Sequence, residues 1–401
     1  MLSMVDNINI ELCNSSTCTG CGACSNICPT NAINLLPDKA EGFYRPVINK
    51  ELCVKCFKCR NTCPIISPLK NSIDAGVVYA AWHKDGQVRA QSSSGGAFSA
   101  LAQAVLDQGG VIIGAAYGQQ LNLKHVLITE SDSLYKLRAS KYIQSEIGSV
   151  LREAVTFLKN GKSVLFCGTP CQVAGFRSMI GDKYLENLIL VDFICHGVPS
   201  PWFFSKYIEW LSKKYGNITN YNFRDKKKGW YDSLRVVVSD KKYSLKGVDD
   251  CYWVAFNNNN NNLQEACYNC RFLGLRRNSD ITISDFWRVD NLADFDKKSE
   301  VSKGISMVMV NSKQGEILFD QAKTYLSFQG RSIKDVIPGN KSLLYSSIRP
   351  KNRDTFYIDL KTMSFDDFLK KYLRPNRKTQ LVKLFREYLP SPIIRFIRAL
   401  I

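Results

Sequence analysis

Cys18-Thr-Gly-Cys21-Gly-Ala-Cys24-Ser-Asn-Ile-Cys28-Pro29 returns as Cys53-Val-Lys-Cys56-Phe-Lys-Cys59-Arg-Asn-Thr-Cys63-Pro64. Eight of the chain's fifteen cysteines fall in these two runs, so metal chemistry has to be weighed first. A cubane of iron and sulfide needs four thiolates at its corners. Two intervening residues let a tight loop wrap three thiolates around three irons, and the fourth must come from elsewhere. With this spacing, the cysteine before proline serves the other cluster. The expected ligand sets are therefore Cys18, Cys21, Cys24 and Cys63 for one 4Fe–4S cluster, and Cys28, Cys53, Cys56 and Cys59 for a second. Gly20 and Gly22 suit a loop that needs positive φ and close approach to sulfide. Zinc takes four ligands, commonly in separated pairs, which does not explain a triplet plus Cys-Pro given twice.

The double run is the pattern of a bacterial-type ferredoxin, which we place at residues 1–70 as a small α+β domain. Asn31-Ala-Ile-Asn-Leu35 and Tyr44-Arg-Pro-Val-Ile48 read as its strands, and Pro64 to Ala75 as a linker. Beyond it, Val77–Trp82, Val111–Tyr117, Ser163–Cys167 and Asn187–Cys195 read as strands. Helical spacing runs from Ala97 to Gln108 and from Ser149 to Lys159. Strands alternating with helices predict a mixed α/β (α+β) catalytic domain, taken as an N-terminal region 76–160 and a C-terminal region 161–330. Tyr231 to Ser244 reads as a hairpin, and the asparagine run Asn257–Asn262 as an exposed low-complexity loop.

Hydrophobic residues at 45% and charged residues at 22% describe a globular chain. The first residues carry no signal-peptide pattern, and no apolar stretch is long enough to span a bilayer. Fifteen cysteines then point to metal ligation in a reducing compartment, which makes the expected location cytoplasmic. Net charge is +18, and residues 331–401 hold 16 Lys+Arg against 6 Asp+Glu. That basic excess suits docking to an anionic partner or surface. No nucleic-acid motif accompanies it, so nucleic acid is not expected as a partner. From Leu381 to Ile401, apolar residues interleave with Lys383, Arg386, Arg395 and Arg398, which predicts peripheral contact with the inner face of a membrane or with a partner. Pro390 and Pro392 interrupt any single helix there, and a fold back onto the chain's own core competes with both.

Seven cysteines lie outside the runs: Cys13, Cys167, Cys171, Cys195, Cys251, Cys267 and Cys270. By spacing alone they are either buried apolar thiols or a third cluster site. The segments Cys167-Gly-Thr-Pro-Cys171-Gln-Val-Ala-Gly175, Cys195-His-Gly-Val-Pro199 and Cys267-Tyr-Asn-Cys270 carry a resemblance. With Ser94-Gly-Gly96, Ser140-Lys-Tyr142 and Asp280-Ile-Thr-Ile-Ser-Asp-Phe-Trp287, they resemble the family of coenzyme F420 hydrogenase/dehydrogenase beta subunits from about residue 10 to 310. The resemblance implies FAD and one further 4Fe–4S cluster. It carries the ligands onto Cys171, Cys195, Cys267 and Cys270, with Cys167 as the alternative first ligand. Cys13 and Cys251 are taken as structural.

Ser94, Gly95 and Gly96 open the Ala97 helix and offer amides to a pyrophosphate. Gly168, Thr169 and Pro170 form a second strand-to-helix turn. Lys141 is expected near the flavin as a catalytic cation, Asp285 as a wall of its pocket, and His196 as a proton relay. An ordinary helix cap, a solvated lysine and a loop-orienting histidine are the competing roles. No Gly-x-Gly-x-x-Gly is present, so a Rossmann dinucleotide site is not expected. The resemblance implies an iron–sulfur flavoprotein oxidoreductase that exchanges electrons with a ferredoxin or other redox partner. Its substrate would be F420-like or a biosynthetic intermediate. The signature branch suggests an anaerobe and service to polysaccharide biosynthesis. The competing class is an electron-transfer subunit with no small-molecule substrate of its own.

Overall fold

A computed structural model describes residues 12–69, 76–232, 234–245 and 250–373. The Leu381–Ile401 segment and part of the expected linker lie outside the described residues. Among those described, no helix is long and apolar enough to cross a membrane.

The cysteine runs fold into a small unit. β1 (Ile33–Pro37) and β2 (Tyr44–Ile48) pair antiparallel. Short helices Ala23–Ile27 and Lys58–Thr62 follow the two ligand loops and pack on each other. The loops share one backbone pattern. Gly20 and Gly22 have φ of 64° and 80°, and Lys55 and Phe57 take φ of 52° and 57° at the matching positions. Left-handed backbone alone therefore does not demand glycine here. Close approach does: a Cβ on Gly20 would stand 2.7 Å from the Tyr44 carbonyl oxygen, and one on Gly22 2.6 Å from Ile147 Cγ2. The first loop is wedged against the larger domain.

That domain centres on an eight-stranded mixed sheet. Its strands are β3 (Val78–His83), β4 (Val111–Tyr117), β5 (Leu123–Ile128), β6 (Val164–Cys167) and β7 (Leu188–Phe193), with β11 (Ile281–Asp285), β12 (Ser306–Val310) and β13 (Leu326–Arg331). The order is β13-β3-β12-β11-β7-β6-β4-β5. β11, β7, β6 and β4 run parallel, and the outer strands pair antiparallel. β6 and β7 are nearly continuous apolar runs because both faces are covered. Ile112, Leu165, Ile189 and Val191 meet helix Ala97–Leu106 on one face. Val111, Ile113, Val164, Phe166, Leu188 and Leu190 meet helices Val150–Lys159 and Pro170–Ile180 on the other. The period-2 alternation of the strands assigns each residue to its layer.

A second core is aromatic. It joins the antiparallel sheet β8 (Asn220–Asp225), β9 (Leu234–Val238) and β10 (Lys242–Leu245) to helices Pro201–Tyr215, Arg353–Thr362 and Phe365–Tyr372. The hairpin expected at 231–244 is β9–β10. Residues 331–373 do not form a separate tail, since Phe356, Tyr357 and Phe368 are buried in this core.

The asparagine run corrects the sequence expectation. Asn261 and Asn262 are buried, 2% and 0% exposed. The Asn262 carbonyl accepts from Ser200 N (3.0 Å) and Tyr357 OH (3.0 Å). The run begins in a π-turn, Val254–Asn258, a distortion common at functional sites. Asn257 and Asn258 are exposed as expected, whereas the end of the run is buried and its Asn262 main chain, not its amide, ties the aromatic core to the loop after β7.

Candidate functional site

The ligand loops bring their cysteines together in two groups. Cys18, Cys21, Cys24 and Cys63 line one hollow, and Cys28, Cys53, Cys56 and Cys59 line another. Cys63 reaches the first group from the end of helix Lys58–Thr62, and Cys28 reaches the second from the end of helix Ala23–Ile27. Cys171, Cys195, Cys267 and Cys270 line a third hollow, together with Thr19 and Ile65 of the cysteine-rich unit. Among the described residues, no group of three or more His, Cys, Asp or Glu side chains is drawn together around a single point as one metal ion requires, and the thiols line these hollows instead.

The thiols are not held alike. Burial pushes Cys171 up to about 11 and Cys21 up to about 12, and raises Cys195 and Cys267. Hydrogen bonding with Cys13 instead holds Cys18 and Cys63 down at about 6.

The first and third hollows are neighbours. Gly175 and Cys171 lie four residues apart on helix Pro170–Ile180, so they share a face. A Cβ on Gly175 would meet Cys21 Sγ at 2.7 Å, which explains the glycine. Gln264 Nε2 donates to the Cys18 carbonyl at 2.8 Å, while the Gln264 carbonyl accepts from Cys267 N at 2.9 Å. Arg45, buried beside Phe43, also donates to the Cys18 carbonyl. The second hollow lies farther out, where Cys56, Leu52 and Val54 are exposed.

On the other side of Cys195 opens a cavity of about 680 Å³ at the carboxyl ends of β6, β7 and β11. This is where ligands bind in open α/β sheets. Ser94, Gly96, Lys141, Gly168, Thr169, His196 and Asp285 line it. Pro170 does not; it lines the third cysteine hollow as the first residue of its helix. Gly95 sits behind the cavity wall, its N–H donating to Ser306 Oγ at 2.9 Å, where a Cβ would clash with Ala81. Thr169 is engaged in a capping box with Gln172, the ordinary helix-cap role. Cys167 faces this cavity and is absent from the third hollow, which separates it from Cys171.

Five basic side chains line the cavity, Arg138, Lys141, Arg224, Arg235 and Lys341, against one carboxylate, Asp285. Asp285 is spoken for: it accepts from Arg224 Nη1 at 3.1 Å and from Trp230 Nε1 at 2.7 Å. Arg224 lies over the Trp287 ring at 5.0 Å, and Trp287 stacks on Trp230 at 4.6 Å. Trp253, Phe256 and Tyr142 add aromatic wall. An anionic, flat ligand matches this lining. Lys141 folds onto the carbonyls of Arg138 (2.7 Å) and Ala139 (3.2 Å), and burial pushes its ammonium down to about 7. His196 lines both the cavity and the third hollow, its Nε2 held by Asn260 Oδ1 at 2.8 Å. His125 stays neutral, because burial pushes it down to about 4; Ser145 and the Cys167 carbonyl hold its two nitrogens.

Sequence reasoning missed Arg138, Arg224, Arg235, Lys341 and the His125–Ser145 pair. Nothing in their local sequence separates an inward-facing arginine from a solvated one. Their convergence depends on β8, β9 and the 339–342 turn meeting the main sheet.

Three family models match the chain. Residues 78–152 match the N-terminal part of the coenzyme F420 hydrogenase/dehydrogenase beta subunit, and residues 161–335 its C terminus. Residues 17–65 match a 4Fe-4S dicluster domain. Among curated proteins, one of the subunits that make up the F(420)H(2) dehydrogenase of Methanosarcina mazei is 25% identical over 191 residues, covering 45% of this chain and 53% of the relative. The chain thus spans about half the length of that relative. Among solved structures, a component of the F420-reducing NiFe hydrogenase complex from Methanosarcina barkeri aligns with 18% identity and a TM-score of 0.46, over 73% of this chain and 92% of that one.

Proposed function

Because the chain belongs to the family of coenzyme F420 hydrogenase/dehydrogenase beta subunits and carries a 4Fe-4S dicluster domain in front of the family's two parts, we propose that it is an iron–sulfur flavoprotein oxidoreductase. It exchanges two electrons with a small substrate in the large cavity and passes them singly through three clusters to an external carrier. The observation that carries this reading is the position of Cys195, which lines both the cavity and the third cysteine hollow.

The residues fit FAD by their chemistry. Arg138, Lys141, Lys341 and a helix N-terminus suit its phosphates, and aromatic side chains suit its rings. A bound flavin supplies the conversion between hydride transfer and single electrons. The chain's own residues do the rest. Arg138 and Lys341 attract the anionic ligand, and Trp287 with Arg224 orients its flat part. His196, pinned by Asn260, stands where a proton can be passed at the cavity edge. Cys171, Cys195, Cys267 and Cys270 would hold the cluster nearest the cavity. The set with Cys63 lies next, and the set with Cys28 lies outermost beside exposed Leu52 and Val54. The outermost position suits a ferredoxin or similar protein partner.

The cationic lining favours an F420-like anionic substrate, a choice that the name of the curated relative also supports; a phosphorylated biosynthetic intermediate, as in polysaccharide synthesis, has the same charge. Cluster ligation by this many free thiols suits the cytoplasm of an anaerobe, with membrane contact assigned to residues 381–401.

Oxygen-free purification of the full chain tests the proposal. About twelve irons, matching sulfide and one flavin per chain are expected, with turnover in a screen of reduced F420, ferredoxin and NAD(P)H. Zinc in place of iron defeats it. Clusters without flavin leave the competing role, an electron-transfer subunit without its own substrate.

Lys141 gives the site a pH dependence. Its amine is charged below about 7 and neutral above, so the cavity loses one positive charge as pH rises through that value. Flavin retained after gel filtration is expected to fall between about pH 6 and 8, and Lys141→Met to hold roughly tenfold less at the lower pH with no slope. Equal slopes in both proteins remove Lys141 from the binding site.

A further inference from the structure

Three of the fifteen cysteines have no part in the proposed ligand sets: Cys13, Cys167 and Cys251. Cys167 faces the cavity, and Cys251 packs against the aromatic core. Cys13 is placed differently. It lines the same hollow as Cys18, Cys21, Cys24 and Cys63, and its Sγ stands 3.8 Å from that of Cys63. Five thiols therefore surround a hollow whose cubane takes four.

The sequence carries a second, independent sign. Glu11-Leu12-Cys13 recurs as Glu51-Leu52-Cys53, and Cys53 lines the outer hollow among the proposed ligands there. The tripeptide that delivers a thiol to one hollow thus also precedes the other. In the second run, its cysteine opens the ligand triplet. In the first, the triplet opens later, at Cys18, and Cys13 arrives as a surplus thiol at the same hollow.

We propose that Cys13 is a stand-by ligand of the cluster held by Cys18, Cys21, Cys24 and Cys63, able to take the iron from Cys63. This rests on the cluster reading above. Cys63 is the ligand at risk. The other three come from one wedged loop, whereas Cys63 reaches across from the second run. In the exchange, the iron–Sγ bond to Cys63 breaks as the bond to Cys13 forms. The proton of the Cys13 thiol passes to the released Cys63 thiolate. No electron moves and no other reactant is needed. The arrangement keeps the middle cluster of the relay whole when its one non-local ligand lets go.

The test uses the full chain, purified without oxygen, as wild type, Cys13→Ala, Cys63→Ala and Cys13→Ala/Cys63→Ala. Iron and sulfide are counted, and the reduced clusters are followed by electron paramagnetic resonance. Wild type, Cys13→Ala and Cys63→Ala should each hold about twelve irons, with altered signals for one cluster in Cys63→Ala; the double variant should hold about eight. If Cys63→Ala already falls to the level of the double variant, the stand-by role is overturned. If the wild type holds no cubane, the cluster reading fails with it. Should Cys63→Ala not fold, Cys63→Ser replaces it, since serine keeps the side-chain volume and ligates weakly. Identical cluster signals in Cys63→Ser and Cys13→Ala/Cys63→Ser then overturn the proposal, and signals that change on removing Cys13 support it.

Discussion

Cys195→Ala protein purified without oxygen should hold about eight irons per chain where the wild type holds about twelve, and its electron transfer from cavity to external acceptor should fall on the order of a hundredfold or more. β7 is apolar from Leu188 to Val191 and buried on both faces, and the buried Asp192, paired with Arg277, stands near its end. The backbone that leaves it puts Cys195 on the partition between the 680 Å³ cavity and the third cysteine hollow. In the proposed reading, removing that thiol takes away one ligand of the cluster next to the cavity. The two ferredoxin clusters have their own complete ligand sets, so their iron should remain. Cys167→Ala is the matched control. Its thiol is also buried, pushed up to about 12, but it faces only the cavity. It should keep all the iron. Full iron in Cys195→Ala would show that the third hollow holds no cluster, and equal loss in Cys167→Ala would overturn the assignment of Cys171 over Cys167.

The contrast between Cys171 and Cys167 marks how far the sequence reaches. The grouping of the eight cysteines of the two runs around two hollows was legible because short loops place them, and loop spacing is a local property. The larger sheet was legible too, since β6 and β7 are apolar runs of strand length. Even the role of Gly20 and Gly22 was visible, although the cause differs. Lys55 and Phe57 adopt the same positive φ, and what excludes a side chain in the first loop is Tyr44 and Ile147 from elsewhere in the chain. The cavity chemistry was legible only in part. Lys141, His196 and Asp285 sit in recognisable motifs, but Arg224 and Arg235 belong to strands whose alternation does not announce an inward cation. The asparagine run misled in part for the same reason: Asn257 and Asn258 are solvated as the composition suggests, but Asn260 meets His196 and the Asn262 main chain meets Tyr357 and Ser200, which only packing decides.

Glu41→Ala is expected to destabilise the folded chain by about 3 kcal/mol, and Arg353→Met by clearly less. Arg353 is 1% exposed and meets Glu41 through two parallel bonds, Nη1 to Oε1 at 2.6 Å and Nη2 to Oε2 at 2.7 Å. It also meets Glu265 at 3.0 Å and the Leu263 carbonyl at 2.9 Å, with the Tyr357 ring 5.0 Å from its guanidinium. Glu41 belongs to the turn between β1 and β2, so this pair fastens the ferredoxin unit to the aromatic core. The two deletions are not equivalent. Without Glu41, the buried guanidinium loses its bidentate partner and keeps only Glu265 and the Leu263 carbonyl, so part of its charge is left less compensated, which is the costly product of breaking such a pair. Without Arg353, Glu41 and Glu265 are left, but both are partly exposed, 21% and 27% by side chain, and water can solvate them. Methionine meanwhile keeps most of the packing against Tyr357 and Tyr268. Thermal unfolding of cluster-loaded protein should therefore rank wild type, then Arg353→Met, then Glu41→Ala. The reverse order would mean that the ion pair is a surface contact and that the two units are held by packing alone. The same ranking should appear in cluster-to-cluster electron transfer, because Glu265 lies two residues before Cys267 and Gln264 bridges to Cys18.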